Sequence, residues 1–413
     1  MSTGGGHADR VPRRRLGPGT TGAPGAVGLA AMQIAYITPL QDHTAGRNVY
    51  YHIGRALEQV GGVTLCRVGP FFRSHDVRLY ARWAWHNLIE RKTYRRQHDP
   101  IELRAIARQL ERALSALSAD CAFCPNPMFL AYLGGDWPCA FWHDATYANL
   151  VDFYFQASKT SRTTLRHGHA HDRRALERCA VAIYASQWAA DSAIRDYGTP
   201  PEKVKVVPRG ASTEHPLTRT EVPEHVEARD RKTCRLLLVG VEWFRKGADI
   251  AVTIAERLNK NGLRAELDIV GCRPPSGTVL PDCVRLQGYL RKTVPGEAST
   301  LRALYLAAHF FVMPSRAECQ GIAFCEASAF GLPSLGLDVG GVSDAVRDGV
   351  NGRLFPLGCD PSDCAAWIAE LWNDPERYRE LALLSYSEYE TRLNWRTSAE
   401  KVVGHLTEAL GRA

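Results

Sequence analysis

The chain contains 413 residues, 45% of them apolar and 23% charged, with a formal net charge of +7. This composition is typical of a globular protein and excludes a chain that is disordered beyond its ends, and no apolar run approaches the roughly 18 to 20 residues of a membrane-spanning helix. The length exceeds one ordinary hydrophobic core, so we expect two domains, or three.

The N-terminal stretch, residues 1–31, contains three consecutive arginines, Arg13 to Arg15, followed by Gly and Pro residues that break any hydrophobic helix. This pattern predicts a disordered tail rather than a signal peptide. It leaves open whether the natural start is Met32, which directly precedes the first predicted strand.

Twelve cysteines are scattered without the spacing of a disulfide framework, which favours reduced thiols and the cytoplasm. Cys121 and Cys124 form a single C-x-x-C with no second pair at zinc-finger distance, so we predict no metal site. The alternating His167, His169 and His171 are interpreted as the solvated face of a basic segment.

The first predicted elements are a strand, a turn and a helix. An apolar run at residues 32–38 ends at Pro39, a polar loop containing Gly46 follows, and an amphipathic pattern covers residues 49–60. Further strands, separated by helical patterns, are predicted at residues 63–68, 119–123, 139–142, 181–184 and 204–207. This alternation predicts a parallel sheet with helices on both faces.

His143 and Asp144 follow the fourth of these strands, at the edge where open parallel sheets bind ligands. Polar groups at this edge can orient a bound ligand, so we expect both residues to lie at the rim of a ligand site. The alternative is structural, because Asp144 could cap a helix that begins at Ala145.

A basic stretch, residues 73–112, carries ten Arg or Lys residues against five acids, interleaved with Tyr80, Trp83, Trp85 and Tyr94. Cations with interfacial aromatics favour contact with anionic lipid headgroups or an anionic glycan. Nucleic acid is the rival partner, but no nucleic-acid motif accompanies the charge. An ordinary solvated helix face is the third interpretation.

The alternating pattern restarts after a polar stretch, residues 211–233, which we interpret as an interdomain linker. A buried strand is predicted at residues 235–240, and Arg245 and Lys246 follow it at the junction with a helix over residues 248–259. The chain contains no Asp-x-Asp to hold a metal ion, so these two side chains are the best candidates to stabilise negative charge on a departing phosphate.

The most informative stretch is residues 314–356. Glu318 precedes a small-residue turn that ends at Gly321, and Glu326 lies eight positions after Glu318, in a helix predicted to begin near Gly321 or Ile322. A turn at a helix N-terminus can hold a phosphate, and an acid on each side can accept hydroxyl groups. The pattern suits a nucleotide-sugar, with phosphates in the middle, the sugar at one end and the ribose at the other.

This stretch resembles the donor-site signature of glycosyltransferase family 4. The resemblance rests on the E-x7-E spacing of Glu318 and Glu326 and on the residues that follow, namely Gly331-Leu332-Pro333, Gly340-Gly341, Asp344, Gly349 and Gly352. Where the family usually has E-G-F-G, this chain has Cys319 and Gln320 between Glu318 and the final glycine. Arg245 and Lys246 resemble the family's R-K-G motif.

The resemblance implies an α/β protein of the GT-B type, in which two Rossmann-like doubly wound domains face a cleft. The acceptor-side domain would cover residues 32–210 and the nucleotide-sugar-binding domain residues 234–390. A helix within residues 391–413 would cross back to the first domain.

The resemblance also implies roles for individual residues. In the family, the first Glu and the backbone after it contact the transferred sugar, and the second Glu holds the ribose hydroxyls. The donor-binding residues so implied are Gly46, Arg245, Lys246, Gly321, Ile322 and Glu326. The catalytic residues so implied are Glu318, Lys246, Arg245 and His143, with His143 and Asp144 on the acceptor side.

The implied activity is transfer of a hexose, with retention of configuration and without a metal or other cofactor, from a nucleotide-sugar to a glycan, lipid-linked or other small acceptor. Its expected setting is the synthesis of cell-surface polysaccharide or glycoconjugate in the cytoplasm, with peripheral contact to the inner face of the membrane. Two alternatives stay open: a nucleotide-sugar epimerase of the same architecture, and a non-catalytic scaffold that binds sugar nucleotides or the cell envelope. The sequence leaves the nucleotide, the sugar and the acceptor undetermined.

Overall fold

The computed structural model describes residues 32–38 and 48–411. Two sequence predictions, the disordered tail at residues 1–31 and the phosphate-side glycine Gly46, lie outside the described residues.

The first domain is built on one parallel sheet. Its strands are β1 (Met32–Ile37), β2 (Val63–Val68), β3 (Cys121–Cys124), β4 (Cys139–His143), β5 (Val181–Tyr184) and β6 (Val204–Val206). Its helices are α1 (Val49–Glu58), α2 (Val77–Ala84), α3 (Pro100–Leu114), α4 (Tyr147–Leu150), α5 (Arg162–Arg178) and α6 (Gln187–Tyr197). The strand order is β2-β1-β3-β4-β5-β6, and the central strands β3 and β5 are completely buried, as helices on both faces require.

The second domain repeats this plan. Its strands are β7 (Cys234–Val239), β8 (Ala265–Val270), β9 (Val284–Gly288), β10 (Phe310–Val312), β11 (Ser334–Leu337) and β12 (Gly352–Phe355). The remaining helices are α7 (Glu221–Glu227), α8 (Ala248–Lys260), α9 (Pro295–Ala307), α10 (Ile322–Ser328), α11 (Pro361–Asn373), α12 (Pro375–Thr391) and α13 (Trp395–Ala409). All pairs in the order β12-β11-β10-β7-β8-β9 are parallel. The prediction of two doubly wound α/β domains is confirmed.

The C-terminal helix closes the first domain. Helix α13 packs against α1 and buries Val402 and Leu406 in the apolar cluster that includes Ile34 and Trp142 of the first sheet. The chain therefore passes between the domains twice, once before α7 and once before α13, and the two passages limit how the domains can move.

The stretch predicted as a linker is partly helical. Helix α7 lies within residues 211–233 and buries Val222 and Val226 in the core of the second domain, where it packs on α12. The two valines are one helical turn apart, and this spacing was the available signal for a helix within a polar stretch.

The interpretation of the histidine triplet as a solvated face was wrong for His171. The side chain of His171 is buried inside the first domain, its Nε2 lies 2.6 Å from the carbonyl oxygen of His98, and the two imidazoles stack. Burial lowers the pKa of His171 to about 4 and that of His98 to about 3, so both rings are neutral at pH 7.

No helix within residues 32–38 and 48–411 is both long enough and apolar enough to cross a membrane.

Candidate active site

A cleft of about 930 Å³ lies between the carboxyl ends of the two sheets. The first domain lines it with Asn48, Asp144, Tyr154 and Arg209, and the second domain with the loops after β7 and β10 and the start of α10. Strands β7 and β10 are neighbours from which the chain winds outward in opposite directions. Their ends form the switch point at which doubly wound sheets bind ligands.

Arg245 and Lys246 lie in the turn between β7 and α8. Gly247, which follows them, has a φ of +69° and approaches Pro314 so closely that a Cβ atom would lie 2.0 Å from the Pro314 carbonyl oxygen. The backbone amide of Arg316 donates to the Arg245 carbonyl oxygen at 2.8 Å. The two switch-point loops are thus packed together, which brings both cations to the loop after β10.

Glu318 is the centre of this cluster. Its side chain is 10% exposed, Lys246 Nζ contacts its Oε2, and Arg245 Nη1 lies 3.6 Å from the same oxygen. Arg245 also pairs through Nε with Glu242, whose side chain is 62% exposed. Burial alone would lower the pKa of Arg245, but the Glu242 and Glu318 carboxylates raise it above its ordinary value. A ligand anion can therefore replace the exposed Glu242 at little cost.

Tyr154 reaches the same cluster from the first domain. Its hydroxyl donates to Glu318 Oε1 at 3.4 Å and accepts from the backbone N–H of Cys319 at 3.2 Å. Its ring centroid lies 5.2 Å from the guanidinium carbon of Arg245, a cation–π contact. Burial and the Glu318 carboxylate raise the pKa of the hydroxyl well above its ordinary value, so Tyr154 remains a hydrogen-bond donor at neutral pH.

The turn after Glu318 is held by a contact between the domains. The backbone N–H of Arg209 donates to Gln320 Oε1, and Gln320 Nε2 donates to the carbonyl oxygen of Arg209, each at 3.0 Å. Gly321 then adopts a φ of +85°, which favours glycine, and α10 begins at Ile322 as the sequence predicts.

The Gly340-Gly341 pair supports this turn from the neighbouring loop. A Cβ on Gly340 would lie 2.1 Å from the Glu318 carbonyl oxygen, and a Cβ on Gly341 would lie 1.9 Å from the Cys319 carbonyl oxygen. The Gly341 amide donates to the Glu318 carbonyl oxygen at 3.1 Å. Only residues without a side chain permit this approach, which explains the glycine pair in the sequence motif.

Glu326, on α10, also lines the cleft and is 2% exposed. Its Oε1 contacts Lys292 Nζ, and its Oε2 accepts from the Tyr305 hydroxyl at 3.0 Å. Lys292 also donates to the Ser212 carbonyl oxygen at 3.1 Å. The charge of the Glu326 carboxylate is thus compensated by Lys292, whose side chain is partly exposed. Ligand hydroxyls can replace Lys292 as hydrogen-bond donors to this carboxylate.

The two residues assigned to the acceptor rim occupy different positions. Asp144 lines the cleft and pairs with Arg209 Nη1 at 3.0 Å; burial opposes ionisation, but Arg209 and His143 hold the pKa of Asp144 at about 2. His143 is not among the described residues that line the cleft, and its Nδ1 lies 2.9 Å from the Pro125 carbonyl oxygen. The alternative role of Asp144 as a helix cap is not observed, since Thr146 caps α4.

Most of the predicted site residues converge on this one cleft. The residues that line it are Arg245, Lys246, Glu318, Gly321, Ile322, Glu326 and Asp144. Sequence reasoning missed Tyr154, Arg209 and Lys292, which come from three separate loops. The only signal was for Arg209, which stands in a Pro-x-Gly turn that closes the first domain.

Among the described residues, no group of three or more His, Cys, Asp or Glu side chains could hold a metal ion. Cys121 and Cys124 are both buried in β3.

Part of the second domain is similar to a known protein family. Residues 233–374 match the family model described as Glycosyl transferases group 1. Curated relatives include the D-inositol 3-phosphate glycosyltransferases of Thermobispora bispora, 34% identical over 237 residues, and Acidothermus cellulolyticus, 31% identical over 248 residues. The matches cover 52% and 56% of this chain and 53% and 54% of the relatives. The chain thus spans about half the length of the curated relatives it matches.

Solved structures resemble most of the two-domain chain. Sucrose-phosphate synthase from Thermosynechococcus elongatus superposes with a TM-score of 0.64 at 17% identity, covering 92% of this chain and 100% of that one. Anabaena Alr3699/HepE in complex with UDP-glucose superposes with a TM-score of 0.57 at 16% identity, covering 91% and 100%. At these identities the likeness shows the fold, which is GT-B.

Replacing Gln320 by Leu removes both hydrogen bonds to the backbone of Arg209. The buried N–H of Arg209 then has no partner among the described residues, and its carbonyl oxygen keeps only the weak Cys325 Sγ donor at 3.5 Å. We expect the free energy of unfolding, measured by urea denaturation, to fall by about 1–3 kcal/mol. The control is Gln187→Leu, which removes an exposed amide and should change the same quantity by less than about 0.5 kcal/mol. Equal stability of Gln320→Leu and the wild type would contradict the interdomain role of this side chain.

Proposed function

We propose that this protein, whose fold is GT-B and whose residues 233–374 match the group 1 glycosyl transferases, is a retaining hexosyltransferase that uses a nucleoside diphosphate sugar. The observation that carries the proposal is the convergence of Lys246 and Arg245 on Glu318, with Glu326 lining the same cleft. One cleft thus supplies two carboxylates and two cations, the groups that a sugar, a ribose and a diphosphate would need.

The donor lies with its ribose at Glu326 and its hexose at Glu318. Carboxylates accept hydrogen bonds from sugar hydroxyls, and each such bond to a charged group contributes about 1.5–3 kcal/mol. The diphosphate then passes beside Gly321, where no side chain obstructs it, and next to Arg245 and Lys246. This placement uses Arg245, Lys246, Gly321 and Glu326, four of the five predicted donor-binding residues that the structure describes.

Lys246 and Arg245 stabilise the negative charge that develops on the leaving diphosphate, and we propose that they do so without a divalent ion. Cations fixed in a cleft that excludes water need no reorganisation when the charge appears, which is why such contacts accelerate reactions. Glu242 must release Arg245 for the diphosphate to bind, and its exposure makes that release cheap.

The chemical step proceeds on the face from which the diphosphate leaves. The bond from the anomeric carbon to the phosphate oxygen breaks while the acceptor hydroxyl forms the new glycosidic bond, and the departing phosphate oxygen takes the hydroxyl proton. Asp144, at the rim, orients the acceptor, and His143 supports Asp144 from behind at 3.5 Å. His143 is therefore a positioning residue in this scheme.

The acceptor is a glycan, a lipid-linked saccharide or another small hydroxyl compound, in the synthesis of cell-surface polysaccharide or glycoconjugate. Inositol 3-phosphate is the first acceptor to assay, because relatives named for it match half of the chain. UDP-glucose is the first donor, because the fold is shared with a protein solved in complex with it.

A ligand screen followed by a product assay tests the proposal. A donor at one hundred times its Kd raises the free energy of unfolding by about 2.7 kcal/mol, so the UDP, GDP or ADP sugar that binds should raise the melting temperature. With that donor, nucleotide should be released only when acceptor is present. An epimerase would change the sugar without releasing nucleotide, and a scaffold would bind without turnover; either result would overturn the proposal.

Replacing Glu326 by Gln removes the charged acceptor for the ribose hydroxyls. We expect the Kd of the nucleoside diphosphate, measured by calorimetry, to rise about 10- to 100-fold, the equivalent of one charged hydrogen bond. The control is Glu370→Gln, which removes a carboxylate that is 61% exposed and pairs with Arg377 outside the cleft, and it should leave the Kd unchanged. If Glu326→Gln bound the nucleoside diphosphate with the same Kd as the wild type, the ribose would not be bound by Glu326.

Replacing Tyr154 by Phe keeps the ring beneath Arg245 but removes the hydroxyl that bonds Glu318 and the Cys319 amide. We expect kcat to fall about tenfold, which corresponds to an increase of about 1.4 kcal/mol in the activation free energy. The KM of the donor should change little. Tyr154→Ala should lower kcat further, because the cation–π contact is lost as well. Tyr389→Phe, on α12, is the control; equal kcat for Tyr154→Phe and the control would deny Tyr154 a positioning role.

A further inference from the structure

Large apolar side chains are exposed in one short segment of the first domain, residues 72–92, which we call the aromatic segment. Among the described residues, 15 large hydrophobic side chains are exposed, and seven of them lie within 18 consecutive positions. These seven, with their exposed fractions, are Phe72 (72%), Val77 (77%), Tyr80 (48%), Trp83 (45%), Trp85 (57%), Leu88 (63%) and Ile89 (66%). Scattered exposed hydrophobes are ordinary on a protein surface, but a cluster of this size indicates an interaction surface.

Buried contacts with the rest of the first domain fix the position of the aromatic segment. Leu79, on α2, is fully buried, and Arg82 pairs at 2.7 Å with the buried carboxylate of Asp99, which also accepts from the Tyr94 hydroxyl. The His86 ring stacks on Tyr94 with centroids 5.0 Å apart. The exposed apolar groups are therefore presented by an anchored structure rather than by a frayed loop.

The aromatic segment is also basic. Between residues 72 and 92 five Arg and Lys residues oppose two acids, Asp76 and Glu90. Asp76 is engaged by Arg78 and Glu90 by His86. Arg73 and Arg91 are exposed, and within the described part of the chain neither guanidinium has a hydrogen bond or an ion pair. Free positive charge thus borders the apolar cluster.

The combination of exposed apolar side chains and exposed cations distinguishes among the possible binding partners of the aromatic segment. A second copy of the chain docking through the same face would bring like charges together across the symmetric contact, which costs free energy. Nucleic acid would satisfy the cations but would leave Val77, Leu88 and Ile89 without an apolar partner. An anionic lipid bilayer satisfies both, because its headgroups neutralise the cations while its interfacial region accepts aromatic and aliphatic side chains.

The aromatic segment is directly connected to the cleft. Lys92 Nζ donates to the Ser158 carbonyl oxygen, and the backbone of Thr93, the next residue, bridges to Thr160. The loop that precedes this bridge carries Tyr154, whose hydroxyl bonds Glu318 in the cleft. The apolar surface therefore belongs to the same part of the first domain that reaches the transferred sugar.

We propose that the aromatic segment is a docking surface for an anionic lipid bilayer, on which Trp83, Trp85, Leu88 and Ile89 insert between headgroups while Arg73 and Arg91 contact lipid phosphates. The binding does not depend on the proposed transferase activity. When both hold, the bilayer presents a lipid-linked acceptor to the cleft.

Vesicle co-sedimentation of the full chain tests this proposal. The wild type should bind vesicles of 30% phosphatidylglycerol in phosphatidylcholine at least tenfold more tightly than pure phosphatidylcholine vesicles, and added salt should weaken the binding. The double variant Leu88→Ser/Ile89→Ser, which keeps every charge, should bind the anionic vesicles at least tenfold more weakly than the wild type. Val279→Ser/Leu357→Ser, which removes two exposed hydrophobes elsewhere in the chain, should bind like the wild type.

Several results would overturn the proposal. Equal vesicle binding by the two double variants would show that the aromatic segment does not contact the bilayer. Wild-type binding that does not change with lipid charge or salt would show that the cations do not contribute to binding. Self-association that is lost in Leu88→Ser/Ile89→Ser, without vesicle binding, would identify a second copy as the occupant. Tighter binding to a single-stranded oligonucleotide than to anionic vesicles would identify nucleic acid. The wild-type salt titration needs no variant, so a folding defect cannot obscure the answer.

Discussion

The site depends on one ion-pair cluster, in which the buried carboxylate of Glu318 contacts Lys246 and lies close to Arg245. A carboxylate and an ammonium taken out of water each lose several kcal/mol of hydration, and only close mutual pairing recovers it. The pairing is possible because the loops after β7 and β10 meet at the switch point of the second sheet, where Gly247 contacts the backbone of Pro314. The strand order therefore brings the buried carboxylate and ammonium together, although burying either charge alone would cost free energy.

The same cluster joins the domains. Tyr154 bonds Glu318 from the first domain, and Gln320 is paired with the backbone of Arg209. The backbone N–H of Gln187 donates to Asp344 Oδ2 at 2.8 Å. Any change in how the domains face each other must therefore alter the hydrogen bonds of the residues around Glu318. Closure of a cleft around a bound ligand excludes water, and in the proposed reaction this would limit hydrolysis of the donor.

Much of this could be predicted from sequence, because the informative signals are local. Short apolar runs separated by amphipathic helices indicate doubly wound sheets, and the spacing of Glu318 and Glu326 indicates the donor site. Tyr154 and Lys292 could not be predicted, since each acts through a partner more than thirty positions away in a loop without periodicity. His171 was misjudged for a related reason: its burial depends on His98, which belongs to a different element.

A crystal structure of the protein with UDP tests the central claim most directly. The account predicts that diphosphate oxygens lie within hydrogen-bonding distance, about 2.7–3.2 Å, of Lys246 Nζ and the Arg245 guanidinium, with the ribose hydroxyls on the Glu326 carboxylate. A diphosphate bound outside the cleft, or held through a divalent ion while Lys246 and Arg245 remain engaged only with carboxylates, would contradict it.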